Sequence, residues 1–346
     1  MATWEKAALG LIALLAAGAG AAHYSDAPSV PAFVIATLAL AGLAWIVGFA
    51  TEQVGERLGP AATGVLQSTL GNLPEFFVVL FALNAGKTVV AQTSIIGSIF
   101  ANALLVLGLV IVAGARRSGD GIMRFQRKLP NDTATLLMLS VFTIVLVGIS
   151  VASSDRASHH VKGLSIVASA CLLVVYLAWV IPYIRSGAAG ERGPRVPTSL
   201  SVALLVVGGV GSAFVSDWFV AELSPAMAAL HLSDAFAGLV VVAIAGNAVE
   251  NFAGIMLAAK GQSDLAISVV KNSVSQVSVF LFPLLILVSF FFATPLTFSL
   301  APVYIGALAL TALAVWQITG DGEAAAFEGV ALLGLYVILA TLTLYE

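Results

Sequence analysis

"GNLPEFFVVLFALNAGKTVVAQTSIIGSIFANALLVLG" occupies residues 71–108, and "GNAVENFAGIMLAAKGQSDLAISVVKNSVSQVSVFLFP" occupies residues 246–283. The two align without gaps at an offset of 175, and Gly71, Asn72, Glu75, Phe77, Gly86, Ala91 and Ser98 recur as Gly246, Asn247, Glu250, Phe252, Gly261, Ala266 and Ser273. The shared set contains Gly, Asn and Glu, which an apolar helix should avoid, so it marks an internal repeat rather than shared apolarity.

Around this pair the chain is strongly apolar. Of 346 residues 60% are hydrophobic and only 10% charged, with a mean hydropathy of +1.04, which excludes an ordinary soluble domain. A hydrocarbon core ~30 Å thick needs ~20 apolar residues. Eleven such runs occur, near residues 5–22, 30–50, 60–83, 88–114, 133–152, 163–185, 198–220, 234–259, 264–292, 296–316 and 325–345. Continuous runs of this length mean helices, because barrel strands alternate with period two. The fold class expected is an all-α polytopic membrane protein with eleven transmembrane helices. The first run reads as a retained span rather than a cleaved signal sequence, being long for one. Cys171 in the sixth run reads as a small packing residue.

The offset carries the third run onto the eighth and the fourth onto the ninth. The domain organisation expected is then an N-terminal helix and loop (1–29), a first five-helix repeat (30–185), a Gly/Pro-rich linker (186–197) and a second five-helix repeat (198–346). Five helices is an odd number, so the copies enter the membrane in opposite senses, as an inverted repeat with its site near mid-membrane on interrupted helices. Lys and Arg fall unequally on the connecting segments. Lys6, Arg57, Arg116, Arg117, Arg124, Arg127, Lys128, Arg185, Arg192, Arg195 and Lys260 lie on one side, and Lys87, Arg156 and Lys162 on the other. The positive-inside rule puts the N-terminus in the cytoplasm and the C-terminus outside, in a cytoplasmic membrane.

Asn72 and Glu75 are three residues apart, as are Asn247 and Glu250, so each pair shares a helix face. Gly71, Pro74 and Gly246 are expected to interrupt those helices, Pro74 by freeing the carbonyl of Leu70. Two carboxylates meeting in a low dielectric cannot both stay charged: they take up protons or hold a cation. Proton and metal then exclude one another, which is the core of an antiporter. Oxygen ligands suit Ca²⁺, and the lack of His or Cys near the repeats argues against Cu or Zn. Ser98 and Asn102, four apart, and Ser273 and Gln276, three apart, are the further candidate ligands.

These segments, with "ATEQVGERLGP" (50–60), "GSIFANALLVLG" (97–108), "SVSQ" (273–276) and "FLFPLLILVS" (280–289), resemble the cation/proton exchanger family of the calcium/cation antiporter superfamily. The resemblance implies an eleven-span antiporter in which Glu75 and Glu250 bind Ca²⁺ in exchange for H⁺, helped by Asn72, Asn247, Ser98, Asn102, Ser273 and Gln276. It also implies entrance or relay roles for Glu52, Glu56 and Asp217. Ca²⁺ and H⁺ are cargo, so no cofactor is expected; the partners expected are transported cations and membrane lipid, not nucleic acid.

The chain departs from the family at Lys271 and Asn272, which stand where an apolar residue and a Gly are usual. Lys271 should snorkel to the cytoplasmic surface, pair with an acid such as Asp217, or lie beside the carboxylates as a site modulator favouring a monovalent ion. The alternative function is therefore a Na⁺ or K⁺/H⁺, or Na⁺/Ca²⁺, antiporter. An intramembrane enzyme is disfavoured, since no HExxH or G-x-S-x-G motif occurs. A channel built from the same ligands would pass ions without coupled proton movement.

Overall fold

In hydrocarbon a backbone can satisfy its N–H and C=O groups only within itself, so each long apolar run should be a helix. The computed structural model describes every residue except 26, 56–65, 67–68 and 187–195, and all side chains of the rest except those of residues 55, 186, 249 and 250; it is mostly helical. Its principal helices are α1 (Thr3–His23), α2 (Ser29–Gly55), α3 (Leu73–Asn84), α4 (Thr88–Ser118), α5 (Lys128–Ala152) and α6 (Val161–Ser186). After the linker come α7 (Thr198–Leu230), α8 (Asp234–Gly246), α9 (Ala248–Ala259), α10 (Ser263–Ser289), α11 (Pro302–Thr319) and α12 (Ala326–Leu344).

Among the described residues nine helices are long and apolar enough to cross a membrane, and α8 with α9 makes a tenth if that broken pair is one span. The chain is an integral membrane protein. Of the run expected at 60–83, residues 60–65 and 67–68 lie outside the described residues, and its described part is helical at 69–71 and again in α3. The run expected at 296–316 begins later, at Pro302. Pro295 and Pro302 hold the residues before them out of the α region, and Pro302 then opens the helix where its missing N–H is harmless. Cys171 is exposed on α6 rather than packed.

Two compact units form, one of residues 1–94, 179–249 and 346, the other of 95–178 and 250–345. Each draws on both halves of the sequence. In the first, α2 runs along α7, and α1 and α3 also pack on α7. Glycines set these approaches: a Cβ on Gly208 would come 2.9 Å from Val47 Cγ2, and one on Gly42 would come 2.7 Å from Ile12 Cγ1. In the second, α4 crosses α12 where Gly108 and Gly329 meet, and α5 packs on α10 and α11. Its α4–α5 connection carries β1 (Ile122–Arg124), which pairs antiparallel with β2 (Glu323–Ala325), Met123 opposite Ala324.

The offset of 175 recurs in the backbone. Helices α3 and α9 have twelve residues each, and each follows an Asn that breaks the helix before it, Asn72 at φ −81° and ψ 4° and Asn247 at φ −100° and ψ 8°. Each is followed by a left-handed glycine, Gly86 at φ 73° and Gly261 at φ 78°. The next helices, α4 and α10, start at Thr88 and Ser263. Both then widen into a π turn, in which the N–H of Leu107 donates to the carbonyl of Asn102 and that of Phe282 to the carbonyl of Val277. Such turns are rare and gather at functional sites.

Candidate functional site

The break before α3 lies at Asn72, not at Pro74. Pro74 sits in the first turn of α3, where no N–H is needed, so it starts this helix instead of loosening one. Its own carbonyl accepts from Ser216 Oγ on α7 at 3.4 Å. Glu75, one residue on, is 5% exposed and lies in the turn where the helix dipole favours negative charge. Asn72, the residue before α3, is buried, and its Nδ2 has no hydrogen-bond partner among the described residues.

The second motif reaches Glu75. Asn247 Nδ2 donates to Glu75 Oε1 and, at 2.9 Å, to the carbonyl of Ala243 in its own helix. Both amide hydrogens are thus committed, one holding the end of α8 and the other holding the carboxylate. Gly246 makes this approach feasible, since a Cβ there would lie 2.6 Å from Glu75 Cγ. Glu75, Asn247 and Gly246 are therefore brought together, from positions about half the chain apart. Gly71 is half-buried, one residue before the break at Asn72. Glu250 lies in α9, and its side chain is outside the described residues.

On α4, Ser98 and Asn102 are each 1% exposed, and Asn102 Nδ2 donates to the carbonyl of Ser98 at 3.0 Å. On α10, Ser273 and Gln276 are equally buried, and Ser273 Oγ and Gln276 Oε1 have no hydrogen-bond partner among the described residues. The same holds for Oδ1 of Asn251 and of Asn272. A buried, unpartnered oxygen costs ~1–3 kcal/mol, so several on neighbouring turns need a reason. Asn251 was not among the residues singled out from sequence; its signal is a second amide within five residues of an apolar run, "GNAVEN" (246–251).

Lys271 neither reaches the surface nor pairs with Asp217. It is 1% exposed, its Nζ donates to Thr319 Oγ1 at 3.2 Å, and Thr319 is the last residue of α11. The ammonium thus sits at a helix C-terminus, where the dipole favours a cation. Asp217 is exposed on α7, Glu52 is half-buried near the end of α2, and Glu56 lies outside the described residues.

Acids and amides at interrupted, repeated helices are the outline of an ion exchanger, and comparison with known proteins agrees. The sodium/calcium exchanger protein family matches residues 28–184 and again 200–345. The chain belongs to that family. Family relatives include the Ca²⁺/H⁺ antiporter of Synechocystis sp., 30% identical over 92% of this chain and 92% of that one. The Ca²⁺/H⁺ antiporter ChaA of Bacillus subtilis is 29% identical over 90% and 92%. Among solved structures, native YfkE superposes with a TM-score of 0.82 at 26% identity, covering 98% of this chain and 100% of that one. The H⁺/Ca²⁺ exchanger CAX gives 0.77 at 15% identity over 99% and 93%, a likeness of fold.

Proposed function

We propose that this exchanger-family protein moves Ca²⁺ against H⁺ across the cytoplasmic membrane, by alternating exposure of a mid-membrane site centred on Glu75 and Glu250. The observation that carries the reading is the hydrogen bond from Asn247 to Glu75, admitted by Gly246, which joins the two Gly-Asn-x-x-Glu motifs. The buried oxygens of Ser273, Gln276, Asn251 and Asn272 supply hard ligands of the kind Ca²⁺ takes. In this mechanism the acids bind either metal or protons, each filled state is neutral enough to cross, and the empty dianion is not.

The arrangement proposed for the chain is one N-terminal helix plus two inverted five-helix repeats, eleven spans in all. The N-terminus is cytoplasmic and the C-terminus external, following the Lys and Arg distribution. It draws support from the identical spacing of Asn72, Gly86 and Thr88 with Asn247, Gly261 and Ser263. The names of the Synechocystis and Bacillus relatives favour Ca²⁺ and H⁺ as the exchanged pair. Inside-out vesicles with an imposed pH gradient should take up ⁴⁵Ca²⁺, and Glu75→Gln and Glu250→Gln should each abolish uptake. Normal uptake by either variant would remove the mechanism.

A second reading, exchange of a monovalent cation, is favoured by Lys271, a buried positive charge two residues from Ser273. A panel of Ca²⁺, Na⁺ and K⁺ in the same assay, wild type beside Lys271→Ile, separates the two by which ion dissipates the gradient.

A further inference from the structure

We propose that a groove between α5 and α6 holds one anionic phospholipid of the surrounding bilayer. The cavity is about 550 Å³, within the ~300–1,000 Å³ of small-molecule sites. Phe142 and Leu146 of α5 and Leu164 and Val167 of α6 line its depth, whereas Ser153 and Asp155 lie at the helix-end rim. Phe142 and Ser153 are separated by three turns, about 16 Å of helix at ~1.5 Å per residue. Deeper in, Thr143 and Ser150 also line the groove, but their hydroxyls are bonded back to the carbonyls of Leu139 and Val147, so the charged group lies at the helix ends and the depth is mainly apolar, the profile of an amphiphile with its headgroup at the helix ends.

Charge at the rim selects the headgroup. The carboxylate of Asp155 accepts from the backbone N–H of Ala157 at 2.9 Å and is committed to the turn. Asp155 is the one charged residue of the lining, and Arg156, His159, His160 and Lys162 are exposed on the same turn and the start of α6, Arg156 between the lining residues Asp155 and Ala157. In the proposed topology this turn is external, where the orientation rule disfavours Lys and Arg, yet two of the three external cations are Arg156 and Lys162. An anionic headgroup at the mouth accounts for both.

The test uses the full chain, purified in detergent and titrated with dioleoylphosphatidylglycerol or dioleoylphosphatidylcholine, with bound lipid counted by native mass spectrometry. Wild type should retain one phosphatidylglycerol in preference to phosphatidylcholine, by about fivefold each for Arg156 and Lys162. Arg156→Glu with Lys162→Glu should cancel that preference, and Ala168→Trp, which fills the groove, should lose both lipids. Equal retention of the two lipids by wild type, or undiminished retention by Ala168→Trp, overturns the proposal. A change of oligomeric mass in Ala168→Trp without lipid loss overturns it too, in favour of a second copy of the chain. None of these readouts depends on transport, so the outcome is independent of the exchange reaction.

Discussion

Asn247 donates a hydrogen bond to Glu75 across 172 residues of sequence, and it does so from the residue that ends helix α8. One amide therefore holds both a carboxylate of α3 and the end of its own helix, α8. The contact rests on Gly246, the only residue type whose backbone can come so close to Glu75 Cγ.

Gly246→Ala follows directly. Its new methyl would sit 2.6 Å from Glu75 Cγ, so either the carboxylate or the end of α8 must shift. Overpacking of this kind costs ~1–3 kcal/mol. The expected outcome is a folded, less stable protein with transport reduced at least about tenfold in the vesicle assay, a factor worth ~1.4 kcal/mol. Wild-type uptake by Gly246→Ala would show that the approach is dispensable.

Asn247→Ala removes the donor while leaving Glu75 buried. Losing a hydrogen bond to a buried acceptor costs ~1–3 kcal/mol, so the purified protein should unfold at a lower temperature, with a stability loss in that range. The double variant Asn247→Ala with Glu75→Gln should lose less than the sum of the singles, because the two groups are in contact. Strict additivity would mean that the bond contributes nothing.

Lys271 and Thr319 make an opposite pair of predictions. A buried ammonium held by one hydroxyl is costly, and replacing it with an apolar chain of similar length is neutral or stabilising. Lys271→Met should therefore keep or raise the unfolding temperature. Thr319→Val, which leaves Nζ without its acceptor, should lower stability by ~1–3 kcal/mol. A strongly destabilised Lys271→Met would mean that the charge has a stronger partner than Thr319.

Gly86→Ala and Gly261→Ala should cost alike. Neither site is crowded: a Cβ on Gly86 meets nothing within 4 Å, and one on Gly261 meets only Arg117 Cγ at 3.8 Å. The penalty is that of the left-handed backbone alone, ~1–2 kcal/mol for each. Unequal losses beyond that range would break the geometric equivalence of the two turns.

The β1 connection carries a pH-dependent element. Asp120 accepts from Arg124 Nη1 at 2.7 Å and from the backbone of Ile122, and these bonds, the arginine's first, pull its carboxyl down to about 2. A depressed carboxylate contributes stability above its unfolded value of ~3.9 and loses it as pH falls toward the folded one. The turn should therefore hold at pH 4 and loosen between about 4 and 2, as read by the carboxyl ¹³C shift of Asp120. A titration midpoint near 4 would contradict the arginine's role.

Much of this was legible in the residues themselves. A hydrophobic run declares a helix because hydrocarbon leaves the backbone no other partner, whereas Gly86 and Gly261, legible only as a recurring pair, acquired their left-handed conformation from the structure. The Asn and Glu positions stood out because apolar helices exclude them. Pro74 misled: a proline breaks a helix only if the helix has already begun, and here Asn72 breaks it first. Lys271 misled as well, since nothing in its flanking sequence announces that the end of α11, 48 residues on, receives it.

Sequence alone determined that the chain lives in a membrane, that it is helical, and that one Gly-Asn-x-x-Glu unit occurs twice, since these depend on local composition and order. Only the tertiary structure decided that Asn247 holds Glu75, that Gly246 is the point of closest approach, and that each compact unit mixes the two halves of the chain. Those outcomes depend on which helix faces lie against one another, and contacts between residues distant in the chain have no local signature for a periodicity to record.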